Sequence, residues 1–132
     1  MATQSRRHRG FALDVIRKEI MPGIFVLECK GPLLIGVPCT RLGLAVEDLL
    51  AEKQKRVVLD LTGVQRVDSG GLGKIVNCLS RLRMAGGTMH VAGANEQVIG
   101  LFKLTKVDRT IKTFSTAREA ANDIANSASQ AQ

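Results

Sequence analysis

The sequence has 132 residues, the usual size of a single domain, so we expect one hydrophobic core. Apolar residues make up 45% of the chain and charged residues 23%, which excludes a disordered acidic chain and a collagen-like one. Lysine and arginine together exceed aspartate and glutamate by 7, a balance that favours acidic partners without identifying one.

The first segment of the chain is basic. Residues 1–12 hold three arginines but no apolar stretch of the kind that a secretory signal has, so we predict a flexible tail and a cytoplasmic location. No uncharged stretch of the chain approaches the roughly 20 apolar residues that cross a bilayer. We therefore expect no membrane span.

A β-hairpin is predicted after this tail. Two short runs, Leu13 to Ile20 and Ile24 to Cys29, are rich in apolar and β-branched residues, and the turn dipeptide Pro22-Gly23 separates them. A turn-rich segment, Gly31 to Pro38, then leads away from the hairpin.

A first amphipathic helix is predicted next, with Thr40 as its cap and its end near Glu52. The evidence is helical spacing of its apolar residues, which are Leu42, Ala45, Val46, Leu49 and Leu50.

The middle of the chain predicts a buried strand followed by a helix. The run Arg56 to Leu61 is short and rich in valine and leucine, as in a strand buried on both faces. A second short extended piece continues through Val67. Residues 69–84 then place apolar side chains three and four positions apart, which indicates a helix, and Gly86-Gly87 stops it.

The last third of the chain repeats this alternation. Thr88 to Ala92 reads as a strand, and Asn95 is predicted to cap a short helix with Val98, Ile99 and Phe102 on its inner face. Thr110 to Phe114 is predicted as the final strand.

A capping box is predicted to open the last helix. Thr116 and Glu119 are spaced so that each side chain can satisfy the backbone amide of the other residue. We expect the helix to run through Ile124 and residues 126–132 to form a polar tail. The element order predicts an α/β fold: a small mixed sheet of about five strands, with about four helices packed mainly on one face and parallel crossovers after the third and fourth strands.

The segment Asp68 to Gly73 is the candidate for chemistry, because three glycines lie where a strand turns into a helix. A Walker A loop would need glycine at position 68 and a hydroxyl residue at position 75, where the chain has Asp68 and Ile75, and the dinucleotide pattern does not fit either. A nucleophile elbow around Ser69 would need glycine at Val67. We therefore predict no catalytic residues and no cofactor.

The sequence contains few residues that could serve as metal ligands. Cys29, Cys39 and Cys78 form no CxxC pair, and the two histidines, His8 and His90, lie far apart. We predict no metal site and interpret the cysteines as small apolar residues of the core in a reducing compartment.

Two interpretations of the Ser69 hydroxyl remain open on residue chemistry alone. Ser69 or Asp68 could simply be the N-cap of the helix, worth about 1 kcal/mol. Alternatively, the bare glycines could leave the hydroxyl uncovered, so that another protein can approach the backbone closely.

The chain resembles the STAS domain over residues 13–125. The resemblance rests on the run Arg56 to Val64, the Asp-Ser-Gly-Gly-Leu-Gly turn at 68–73 and the Gly86-Gly87 break. It is greatest to free-standing bacterial anti-sigma factor antagonists. The resemblance implies that Ser69 is a phosphoacceptor and that the partner is an anti-sigma factor serine kinase, bound by the unmodified form and released by the phosphorylated one. Implied partner-binding residues are Asp68, Ser69, Gly70, Gly71, Leu72 and Gly73, with Leu33 and Leu34 from an apolar patch that also includes Ile35 and Val37.

Two other functions are compatible with the sequence. The chain could be a constitutive STAS docking subunit of a larger signalling or membrane-transport complex, without phosphorylation. Its basic charge could instead bind nucleic acid. However, the chain has four phenylalanines and no tyrosine or tryptophan, so few aromatic side chains are available to stack on bases, and we expect no direct nucleic-acid contact. Homodimer formation is left open.

Overall fold

The computed structural model describes residues 13–130, with the backbone alone for residues 128–130. The predicted basic tail at 1–12 therefore lies outside the described residues. Across residues 13–130, no helix combines the length and apolar character that a membrane crossing requires. The elements are β1 (Asp14–Met21), β2 (Ile24–Lys30), α1 (Val37–Ala51), β3 (Arg56–Gly63), α2 (Ser69–Met84), β4 (Thr88–Ala92), α3 (Glu96–Leu104), β5 (Thr113–Phe114) and α4 (Ala117–Gln130).

The five strands form one mixed sheet in the order β1-β2-β3-β4-β5. β1 and β2 pair antiparallel through the predicted turn, where Gly23 adopts a φ of 76°. The other three pairings are parallel, and α1, α2 and α3 provide their crossovers. The sheet confirms the predicted α/β architecture and adds a parallel crossover between β2 and β3.

The sheet has a core on each face. Three helices, α1 to α3, cover one face, where Val57, Leu59 and Leu61 of β3 are fully buried. α4 covers the other face, where Val58 packs with Ile124. The valine-rich run of β3 is therefore buried on both sides, as its composition predicted.

The first helix begins earlier than predicted. α1 starts at Val37, and its N-cap is Gly36, which has no side-chain cap. Pro38 lies in the first turn, where a residue without an N–H group leaves no hydrogen bond unmade. Thr40 is inside the helix, and its hydroxyl donates to the Gly36 carbonyl at 3.3 Å. The prediction that Thr40 caps α1 was therefore wrong.

The final strand is shorter than predicted. β5 covers two residues, Thr113–Phe114, and a 3₁₀ turn occupies Val107–Arg109. Ile111 is buried, and its amide donates to the Val107 carbonyl at 3.0 Å, so the start of the predicted strand is held by the turn rather than by β4.

The capping box of the last helix is confirmed. The Glu119 amide donates to the Thr116 hydroxyl at 3.1 Å, and the Thr116 amide donates to the Glu119 carboxylate at 3.3 Å. α4 continues to Gln130, past Ile124 where we expected it to end. The Asn95 cap of α3 is also confirmed, since its side-chain oxygen accepts from the Val98 amide at 2.9 Å.

Candidate functional site

The candidate site lies where the chain leaves β3 and enters α2, beside the loop between β2 and α1. An isolated parallel bridge joins Leu33 of that loop to Val67. The Leu33 amide donates to the Arg66 carbonyl at 2.9 Å, and the Asp68 amide donates to the Leu33 carbonyl at 3.3 Å. The loop is thereby fixed against the start of α2.

Asp68 is the N-cap of α2 and also holds the neighbouring loop. One of its carboxylate oxygens accepts from the Gly71 amide at 2.7 Å, and both accept from the Ile35 amide at 3.1 Å. These backbone hydrogen bonds, the one from Gly71 first, lower the pKa of the Asp68 carboxyl below its usual value. Of the two cap candidates in the sequence, the structure therefore selects Asp68.

Ser69 is the first residue of α2 and is exposed. Gly73 lies one helical turn further along the same face, and a Cβ atom added there would meet no atom within 4 Å. The hydroxyl and the bare backbone beside it thus share one open surface.

Gly70 and Gly71 have a different role from Gly73. A Cβ atom on Gly70 would lie 2.6 Å from the Ile35 Cβ, and one on Gly71 would overlap the Leu33 carbonyl. Both glycines are therefore required because the β2–α1 loop packs directly on the helix backbone. The interpretation that bare glycines leave room for another protein fits Gly73 and does not fit this pair.

The apolar residues of the predicted patch separate into buried and exposed sets. Leu33 is 0% exposed and Leu72 is 7% exposed, so these two predicted partner-binding side chains are buried in the core beneath the loop. Leu34 is half-buried, whereas Ile35 is 74% exposed and Val37 is 58% exposed. Ile35 and Val37 are therefore the apolar side chains that this loop offers to solvent.

The cysteines and His90, which the sequence offered as possible metal ligands, are buried in the core or attach α4 to the sheet. All three cysteines are buried, as the sequence predicted, and burial raises the pKa of the Cys78 thiol to about 11. His90 packs against Phe114 and bonds Asp123 of α4 at 2.8 Å, a pair that sequence spacing gave no reason to expect. Within residues 13–130, no group of three or more histidine, cysteine, aspartate or glutamate side chains is placed to hold a metal ion.

Comparison with known proteins identifies related sequences and folds. The profile of the STAS domain matches residues 15–120. A Thermotoga maritima protein provisionally named an anti-sigma factor antagonist is 32% identical over 78 residues, which cover 59% of this chain and 69% of that protein.

Solved structures share the fold. A crystal structure of a protein from Thermotoga maritima, also provisionally an anti-sigma factor antagonist, has 27% identity and a TM-score of 0.69, covering 80% of this chain and 91% of that one. The Bacillus cell fate determinant SpoIIAA in its phosphorylated form has 12% identity and a TM-score of 0.66, covering 83% of this chain and 98% of that one. At 12% identity that likeness shows the fold alone.

Proposed function

The chain belongs to the STAS domain family, and we propose that it is an anti-sigma factor antagonist switched at Ser69. In this proposal the unmodified protein binds an anti-sigma factor serine kinase in the cytoplasm, and phosphorylation of Ser69 releases it. The protein acts by binding rather than by catalysis. One observation carries the proposal: Ser69 is exposed at the first position of α2, next to the open backbone at Gly73.

The docking surface of this proposal is centred on Ser69. It combines the bare helix face at Gly73 with the exposed apolar side chains of Ile35 and Val37. Apolar side chains this exposed lower the free energy of a complex when a partner covers them. Asp68 contributes by fixing the loop that carries Ile35.

A phosphate on Ser69 would alter this surface without unfolding the domain. It adds about −1.5 to −2 charges at pH 7, at the positive end of the α2 dipole. The amides of Gly71 and Ile35 are already bonded to Asp68, so these two donors are not available to the phosphate. It would face the partner beside a carboxylate, and burying both charges in a complex is unfavourable.

The test is copurification from the native cell with three forms of the full chain: wild type, Ser69→Asp and Ser69→Ala. We expect wild type and Ser69→Ala to retain a kinase-type anti-sigma factor, and Ser69→Asp to lose it, because only the acidic variant introduces charge. The recovered kinase with ATP should add one phosphate group to wild type and none to Ser69→Ala, measured by intact mass and peptide mapping.

The outcomes distinguish the alternatives. Phosphate on another residue would refute the assignment of Ser69. A partner retained equally by all three forms would instead indicate the constitutive docking subunit. Equal melting temperatures of Ser69→Asp and wild type are required as a control, because a partner lost through unfolding says nothing about a switch.

A further inference from the structure

A cavity of about 530 Å³ lies at the end of the sheet opposite Ser69. Its walls come from the first residues of β3 and β4, from the segment between the 3₁₀ turn and β5, and from α4 near Ile124 and Ser127. Ser69 follows the carboxyl end of β3, so the cavity and the proposed docking surface are separate. Its volume is in the range of small-molecule sites.

The lining of this cavity is strongly basic. Arg56, Arg83, Arg109 and Lys112 all contribute to it, and Asp108 is the one carboxylate among the described lining residues. Lys112 also lies 3.5 Å from a carboxylate on α4. The cations of the lining outnumber its carboxylate, and like charges close together repel each other less when an anion lies between them.

The cavity arginines differ from paired arginines elsewhere in the chain. Arg17 pairs with Glu52 at 2.5 Å, and Arg81 pairs with Glu47. The three arginines of the cavity make no ion pair with any carboxylate of residues 13–130. These three guanidinium groups come from three separate segments of the chain, and none of them is held by an ion pair within residues 13–130.

Part of the basic rim is held in place. Arg83 donates to the Thr110 carbonyl at 3.0 Å, which fixes its guanidinium over the 3₁₀ segment and leaves other N–H donors for a ligand. The floor is apolar, formed by Met89, Ile111 and Ile124, all of them buried. A guanidinium rim over an apolar floor matches a ligand with a charged head and an apolar body.

We propose that this cavity binds a small organic anion, with its phosphate or carboxylate group between the arginines and its apolar body against the floor. The site is independent of Ser69, so the proposal stands or falls separately from the phosphorylation switch.

The test is a titration of the isotope-labelled full chain at constant ionic strength, in which NMR measures the change of each amide chemical shift. The probes are phenyl phosphate, benzoate and inorganic phosphate. The first two distinguish a phosphate from a carboxylate head, and inorganic phosphate lacks the apolar body. We expect saturable shifts at residues 86–89 and 109–112, with phenyl phosphate or benzoate binding more tightly than inorganic phosphate.

Two variants that each remove one positive charge distinguish binding in the cavity from general attraction of anions to a basic protein. Arg109→Gln should weaken binding about fivefold, because it removes a charge-assisted donor from the rim. Arg118→Gln removes an exposed arginine of α4 that is not part of the lining, and should leave the affinity unchanged.

Three results would overturn the proposal. The first is the absence of saturable shifts with any of the three probes. The second is equal weakening by both variants, which would indicate unspecific attraction to a basic protein. The third comes from a separate titration with a single-stranded oligonucleotide: tight binding at these residues without saturation by the small anions would make this face a nucleic-acid surface.

Discussion

The amide of Ile35 lies 3.1 Å from each carboxylate oxygen of Asp68, across 33 positions of the sequence. This contact joins the loop that carries the exposed apolar side chains to the helix end that carries Ser69. The geometry of the proposed docking surface therefore depends on a carboxylate that is itself adjacent to the proposed phosphoacceptor.

Replacing Asp68 should loosen both the helix start and the loop. In Asp68→Ala, the Gly71 and Ile35 amides lose their acceptor, so we expect faster hydrogen exchange at these two amides and a melting temperature lower by several degrees. Glu96→Ala removes an exposed carboxylate from another part of the surface, outside both proposed sites, and is the control. Unchanged exchange at Ile35 and Gly71 would contradict the role given to Asp68.

Truncation of Leu33 should lower the stability of the domain, whereas truncation of Ile35 should weaken partner binding. Leu33→Ala leaves a cavity under the loop and should cost about 2–5 kcal/mol of unfolding free energy. Ile35→Ala removes an exposed side chain and should change stability by less than about 0.5 kcal/mol while weakening partner capture. Urea unfolding and copurification measure the two effects, and a large stability loss in Ile35→Ala would count against its place in the docking surface.

The glycines of the turn should respond to alanine in opposite directions. Gly71→Ala drives a methyl group into the Leu33 carbonyl and should destabilise the domain by about 1–3 kcal/mol. Gly73→Ala meets open space in a helix and should stabilise it by up to about 1 kcal/mol. Thermal unfolding of the two variants tests this. Stabilisation by Gly71→Ala would contradict the packing of the loop on α2, and destabilisation by Gly73→Ala would contradict the open space at that position.

The His90–Asp123 pair predicts a pH dependence of stability. The hydrogen bond from His90 and the charge of Lys112 lower the pKa of the Asp123 carboxyl in the folded state. The unfolded chain then binds more protons in acid, so this contribution is present above about pH 4 and is lost as the pH falls further. We expect the melting-temperature difference between wild type and Asp123→Asn to be larger at about pH 5 than at about pH 3. A difference that does not change with pH would contradict this coupling.

The features that the sequence alone predicted correctly are those that depend on residues close together in the chain. The periods of the apolar residues located the strands and helices, and the caps at Asn95 and Thr116 were confirmed because such hydrogen bonds span only three positions. At α1 the same reasoning failed. The sequence offered Thr40 as a polar cap, but Pro38 favours an earlier start and the helix begins after Gly36.

Tertiary structure alone decided which residues of the site face solvent. Leu33 and Ile35 are equally apolar and lie in the same loop, yet one is buried and the other exposed, because the loop packs on the α2 backbone at Gly70 and Gly71. The basic cavity likewise gathers arginines from separate segments. Contacts of this kind depend on strand order and helix placement, which bring distant positions together, and no local pattern in the sequence records them.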